Sequence, residues 1–290
     1  MVVFLYSIPE DIRQGSARPS RDKRKRRQDM DAIKNYYETH DEENRLTPNH
    51  GKVEFITTMK YIHEYLDEKP DSKIIEIGAA TGRYCVTLAK EGYDVTAVDL
   101  VPANLDKLRT KLDGTEKIEV YEGNALDLSQ FEDETFDVTL VLGPMYHLFS
   151  ATDLKKALSE AVRITKKGGH IFVAYIMNEP AIIQCLFLRG RLDEMRGKGL
   201  VSEDWHCLST PDDLFNIVRT EEIAALNTIV PATRVKLIAT DGISEMLGFR
   251  INELNENEFE AWVDFHLNVC ERADVLGMSC HTLDILQKND

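Results

Sequence analysis

The stretch Lys73-Ile74-Ile75-Glu76-Ile77-Gly78-Ala79-Ala80-Thr81-Gly82 decides the fold. Its first half is short and rich in isoleucine, the composition of a buried strand, and its second half is a tight turn of small residues. The turn leads into a helix that runs to Glu91-Gly92, and Asp94 to Asp99 (DVTAVD) then reads as a second strand. Asp99 stands 21 positions after Gly78. Small residues let the backbone approach a ligand, a helix amino terminus favours an anionic group, and a carboxylate about 20 residues on accepts ribose hydroxyls. These three features together predict a nucleoside-containing cofactor. The spacing is G-x-A-x-G followed by Arg83, with no third glycine to let helix and strand pack beneath a pyrophosphate, so NAD and FAD are disfavoured.

Working outward, Val53, Ile56, Met59, Ile62 and Leu66 recur at helical spacing, which predicts a helix over 52–67 ended by Pro70-Asp71. On the other side, Pro102 opens a helix with Leu105, Leu108 and Leu112 as its inner stripe and Gly114 as its terminator. Ile118 to Tyr121 and Phe136 to Leu142 are further strands. A helix beginning near Thr152 buries Leu154, Leu158, Ala161 and Val162, stops at Lys166-Lys167-Gly168-Gly169, and is followed by a strand from His170 to Ile176. After Asn178 the alternation fails. Residues 179–210 read as an insertion over the carboxyl edge of the sheet, and Thr210-Pro211-Asp212-Asp213 as the opening of another helix. Arg234 to Thr240 and Thr282 to Gln287 are the final strands, with a helix over 256–272 between them. Strands alternating with crossover helices predict a parallel α/β sheet.

The chain has 290 residues, 43% hydrophobic and 29% charged, which excludes a disordered or collagenous protein. No window approaches the roughly 18 to 20 apolar residues of a membrane span, and the apolar opening Met1 to Tyr6 is too short for a signal-peptide core, so a cytoplasmic protein with no membrane partner is expected. Cys85, Cys185, Cys207, Cys270 and Cys280 form no CxxC pair and are expected to be reduced and mostly buried. A metal site from His266, Cys270 and His281 lacks a chelating pattern, and none is expected.

The net charge of −15 is uneven: residues 1–29 hold eight Lys/Arg against four acids, a balance of +4, which leaves −19 on the remainder. Such a body repels phosphate backbones and argues against a nucleic-acid partner. The basic run Arg21 to Arg27 reads as a solvated tail, a nucleic-acid arm or a targeting signal. A fourth reading comes from Arg26-Arg27, which can be encoded as AGGAGG, the purine run of a bacterial ribosome-binding site, shortly before Met30. Residues 1–29 would then be translated leader, and 30–290 the native domain.

Over residues 50–177 the sequence resembles the class I S-adenosylmethionine-dependent methyltransferases, whose first motif is an acid at a strand end followed by G-x-G-x-G. The resemblance implies a doubly wound, Rossmann-like seven-stranded sheet, mostly parallel with an antiparallel last strand, and helical lid insertions at about 179–210 and 253–274. It implies S-adenosylmethionine as cofactor. Glu76 and the backbone of Gly78, Ala79, Ala80, Thr81 and Gly82 would hold the methionine part, Asp99 the ribose, and Leu100 would pack on the adenine. Gly123-Asn124-Ala125 is similar to the family's G-D-A segment, which gives Asn124 the adenine amino group unless it caps a turn. Leu142 to Leu148 (LGPMYHL) resembles the G-P-x-Y-H-L segment of a bacterial group acting on small molecules or on unknown substrates. In the nucleic-acid amino-methylating signature an Asp or Asn leads, and Gly143 has no side chain for that role. In related methyltransferases an amino-terminal segment closes over the cofactor, which picks out Tyr37 and Arg45.

Methyl transfer is an in-line displacement for which the protein aligns the nucleophile, excludes water and, where needed, removes a proton. His147 is the first candidate for base or orienting group, against a structural role, and Tyr146 the second. Trp205 and Arg272 are the expected substrate contacts, Arg272 either holding a substrate carboxylate or phosphate or bracing the last strands in a buried cluster with Glu271. The expected function is methyl transfer to a small-molecule acceptor in a lidded pocket. The alternatives are an RNA or protein methyltransferase and a non-catalytic S-adenosylmethionine-binding protein.

Overall fold

The computed structural model describes residues 32–37, 42–66, 71–210 and 214–290. The basic head, Pro70 and residues 211–213, where a helix opening was expected, lie outside these. Eight strands form one sheet: β1 Lys73–Ile77, β2 Asp94–Asp99, β3 Ile118–Glu122, β4 Phe136–Val141, β5 Thr165–Met177, β6 Ile217–Val218, β7 Ala232–Ala239 and β8 His281–Lys288. Their order is β3-β2-β1-β4-β5-β8-β7, with the two-residue β6 beside β5. β1 to β5 run parallel, and β8 runs antiparallel to both β5 and β7. The doubly wound α/β architecture stands as expected, with β6 as an eighth strand; two residues carry no readable period.

Side chains alternate across each strand, and the sheet separates two apolar cores accordingly. Ile74, Leu140 and Phe172 face one core with helix Asn49–Leu66, whereas Ile75, Val141, Ile171 and Val173 face the other with helix Ala151–Ile164. The expected inner stripe of helix Pro102–Arg109 is present, with Leu105 and Leu108 buried. Ser150 caps helix Ala151–Ile164 by accepting from the Asp153 amide at 3.0 Å.

Two local expectations are corrected. Lys166 to Gly169 is not a helix stop but an irregular stretch within β5: Phe136 pairs with Thr165 and Val138 with His170, so these four residues bulge opposite Asp137. Residues 214–219 are not helical, and the next helix is Thr220–Asn227, opened by Glu222 bonding back to the Arg219 amide. All five cysteines are free, three of them buried. Among the described residues no helix is long and apolar enough to cross a membrane.

Candidate active site

The register of the central strands brings the site together. Ile77 pairs with Val98 on one side and with Val141 on the other, so the Gly78 turn, Asp99 and Gly143 leave the sheet at one edge. The amides of Gly78 and Ala79 both donate to the Val98 carbonyl, at 2.8 and 3.0 Å, and pin the turn to β2. Gly78 has φ +80°, and a Cβ there would lie 2.7 Å from Pro144 Cδ, so only glycine lets the two loops close on each other. Ala80 stands in the left-handed region at φ 47°, where its amide donates to Asp99 Oδ2 at 2.8 Å. Asp99 Oδ1 accepts from the Val101 amide at 2.8 Å. Burial nonetheless raises the Asp99 pKa.

A cavity of about 310 Å³ opens at this edge, lined among others by Tyr37, Gly78, Ala80, Asp99, Leu100, Asn124, Ala125 and His147. A smaller cleft adjoins it through Gly78 and Ala80, and is bounded by Arg45, Glu76, Ala79, Thr81 and Leu142. The residues of the motif thus divide between the two. Gly82 lines neither, and its space is taken by Leu108 and Val86. Glu76 accepts from the Cys85 amide at 2.8 Å, and burial pushes its pKa up to about 8. Asn124 Oδ1 accepts from the Leu126 amide at 2.9 Å, so its side chain makes the turn cap while facing the cavity.

The amino-terminal segment closes on both spaces. Residues 32–37 are helical, and Ile33 and Tyr37 line the cavity. The Tyr37 hydroxyl lies 3.0 Å from His147 Nε2, and His147 Nδ1 lies 2.8 Å from the Leu214 carbonyl. A carbonyl only accepts, so Nδ1 carries the proton and Nε2 accepts from Tyr37. Burial lowers the His147 pKa. Arg45 donates to Glu42 at 2.9 Å and to both oxygens of Glu54, at 2.7 and 3.1 Å.

Other expected positions are placed elsewhere. Tyr146 is buried but lines neither space; its ring faces His281 at 6.3 Å between centroids. Trp205 stands at φ 62°, packed between Phe187 and the Arg196 guanidinium, away from the cavity. Arg272 is exposed and bonded to Asp274, so it neither lines the cavity nor joins a buried cluster with Glu271. No residue of 179–210 or 253–274 lines either space. The sequence reading missed Asn104, buried and 3.4 Å from Asp99 Oδ1; its signal was a polar side chain on the inner face of the helix Pro102 opens. It also missed Asp241 and Glu54, which meet His281 only in the folded chain.

Residues 75–173 match a family model described as a methyltransferase domain. A demethylmenaquinone methyltransferase of Clavibacter sepedonicus is 32% identical over 109 residues, which cover 37% of this chain and 42% of that protein. The chain thus spans less than half the length of the first curated relatives it matches. Among solved structures, a Pyrococcus horikoshii OT3 protein matches with TM-score 0.55 at 16% identity, over 88% of this chain and 99% of that one. A SAM-dependent methyltransferase from Methanosarcina mazei matches with TM-score 0.51 at 17% identity, over 79% and 97%. At these identities the structural likeness establishes a common fold.

Proposed function

We propose that this chain, which carries a class I S-adenosylmethionine-dependent methyltransferase domain, transfers the methyl group of that cofactor to a small-molecule acceptor. The observation that carries the reading is the convergence of the Gly78 to Ala80 turn, the Asp99 carboxylate and the Gly143 loop on one cavity of about 310 Å³. That volume is in the range of small-ligand pockets. The residues fit the cofactor: Asp99 keeps acceptor lone pairs for ribose hydroxyls, Asn124 and Ala125 wall the adenine end, and Glu76 stands by the cleft at the methionine end. The sulfonium methyl supplies an electrophile that needs no further activation.

The protein's own residues bind, orient and exclude water. Tyr37, held on His147, would cover the cavity, and a covered cavity favours a small acceptor over a polymer. The charge of −19 outside the basic head supports the same reading. Because the His147 Nε2 lone pair already receives the Tyr37 hydroxyl, we assign His147 to orientation rather than proton removal. Calorimetry with S-adenosylmethionine and S-adenosylhomocysteine tests the reading, with micromolar or tighter binding of both expected. Absence of binding overturns it, and transfer of labelled methyl to RNA or protein but to no small compound overturns the acceptor class.

A further inference from the structure

We propose that the exposed face formed by Phe187, Leu188 and Trp205, rimmed by Arg189 and Arg196, docks on the surface of an anionic lipid bilayer. This goes beyond the methyltransferase reading and does not depend on it.

Helix Asn178–Ile182 continues into a π-helical turn, Ile183–Leu188. Ile182 and Leu186 are buried, whereas Phe187 is 55% and Leu188 64% exposed. Trp205 reaches them from a second segment, a hairpin in which Val201 pairs with Cys207 and the Leu208 amide donates to the Leu200 carbonyl at 3.0 Å. Trp205 stands near the tip of this hairpin at φ 62°, and its backbone is held there on both sides. The Trp205 carbonyl accepts from the buried Asn178 side chain at 2.9 Å, and the Cys207 amide donates to that side chain at 2.7 Å. The Trp205 amide donates to the Ser202 carbonyl at 3.1 Å. The indole is thereby fixed beside Phe187, 5.8 Å between ring centroids, and is itself partly exposed. Single exposed apolar residues need no partner, but three large ones that adjoin one another mark an interaction surface.

The rim supplies the charge that identifies the partner. Residues 187–200 hold Arg189, Arg191, Arg196 and Lys198 against Asp193 and Glu194, a balance of +2 on a chain of −15. Glu194 takes both Arg191 and Lys198, each at 2.8 Å. Arg189, next to Leu188, and Arg196, whose guanidinium lies 4.5 Å from the centre of the Trp205 ring, have no carboxylate partner among the described residues. Aromatic and leucine side chains flanked by free arginines match the boundary of an anionic bilayer, where the apolar groups enter the acyl edge and the guanidiniums stay with the phosphates. A second copy fits less well, because in a two-fold contact the patch meets itself and sets these arginines against their equivalents.

The patch also has a meaningful place in the fold. Asn178 follows β5, which runs parallel to β4 and β1, so its carboxyl end shares the sheet edge of the Gly78 and Gly143 loops. Docking would turn the edge that holds the cavity toward the lipid. This departs from the expectation of no membrane partner, which rests on spanning segments; attachment to a surface needs none. Leu188 and Trp205 stand 17 positions apart, and only the fold joins them.

The test uses the full chain with Trp262→Phe, which leaves Trp205 as its sole tryptophan. It is mixed with vesicles of phosphatidylcholine, alone or with roughly 30% phosphatidylglycerol. Co-sedimentation with the anionic vesicles is expected, with a blue shift of Trp205 emission and quenching by lipids brominated on the acyl chain; binding to neutral vesicles is expected to be about tenfold weaker. Phe187→Ser with Leu188→Ser lowers partitioning by about tenfold or more. Arg189→Gln lowers it by about fivefold. The basic head would itself be drawn to anionic lipid, so sedimentation without any change at Trp205 assigns the attachment to the head and overturns the proposal. So do absence of sedimentation, equal binding to both vesicles, and unchanged partitioning in the double variant. A dimer detected by ultracentrifugation without vesicles, and dissociated by that double substitution, gives the face to a second copy and overturns it as well. Should the double variant not fold, bromine quenching of Trp205 in the chain with the native patch decides, and its absence overturns the assignment.

Discussion

The Tyr37 hydroxyl donates to Nε2 of His147 across 3.0 Å, joining helical residues 32–37 to the loop that follows β4. Tyr37→Phe keeps the ring and leaves the buried nitrogen without its donor, a loss of about 1 to 3 kcal/mol. Weaker S-adenosylhomocysteine binding, by about tenfold, and a lower Tm are expected. Calorimetry and thermal melts that match wild type would show that the contact does not hold the segment closed.

Asp99 receives the amides of Ala80 and Val101, both at 2.8 Å. In Asp99→Asn one of those amides meets an NH₂ group instead of an oxygen. Hydrogen bonds to a charged group are worth about 1.5 to 3 kcal/mol each, so cofactor affinity is expected to drop by about 10- to 100-fold. An affinity within twofold of wild type would remove Asp99 from the binding site.

Glu76, at about 8 when buried without a ligand, is largely protonated at neutral pH. The ammonium of a bound methionine moiety would favour its ionised form, so binding at pH 7 is expected to release up to about one proton. Binding enthalpies in phosphate and in Tris should then differ in proportion to the buffers' ionisation enthalpies. Identical enthalpies would place the ammonium elsewhere.

Burial lowers the pKa of both His147 and His266, and their contribution to stability is present above the ordinary histidine value and lost as pH falls. His281, raised to about 9, works in the opposite direction: its contribution is complete below the ordinary value and lost as pH rises through 9. Tm is expected to decline on both sides of neutrality, and His281→Asn to flatten the alkaline limb. A melt series in which that limb is as steep as in wild type would contradict the charge network around His281.

Gly78 and Gly114 share positive φ, +80° and +91°, but a Cβ at Gly78 meets Pro144 whereas one at Gly114 meets nothing within 4 Å. Gly114→Ala therefore carries backbone strain alone, about 1 kcal/mol. Gly78→Ala adds a clash between the two loops that form the site, so about 3 kcal/mol and loss of cofactor binding are expected. Urea unfolding of the pair separates strain from contact, and equal costs would mean that the Pro144 loop yields.

Much of the fold was legible because its signals are local. The isoleucines of Lys73 to Ile77, the Gly78 turn and Asp99 lie within one strand-turn-helix-strand unit, and helix Asn49–Leu66 shows its period in its own residues. Tyr37, Asp99 and Asn124 line one cavity. Trp205 and Arg272 stand out in the sequence by residue type alone, and type does not say which way a surface side chain points; one packs on Phe187 and the other bonds Asp274. Lys166 to Gly169 reads as a stop by composition, yet strand pairing on both sides carries the backbone through it.

The α/β class, the glycine turn after β1 and the carboxylate at the end of β2 could be read from the sequence alone, because each depends on spacing along one short segment. Only the tertiary structure decided that His281 meets two carboxylates, Asp241 and Glu54. Glu54, Asp241 and His281 stand on an early helix, after the seventh strand and at the start of the eighth, and no periodicity along the chain relates them. Their meeting is a product of β8 running antiparallel beside β7 and of Arg45 holding Glu54 against that edge. Burial and the neighbouring charges then set the basicity of an imidazole that in the sequence is one histidine among eight.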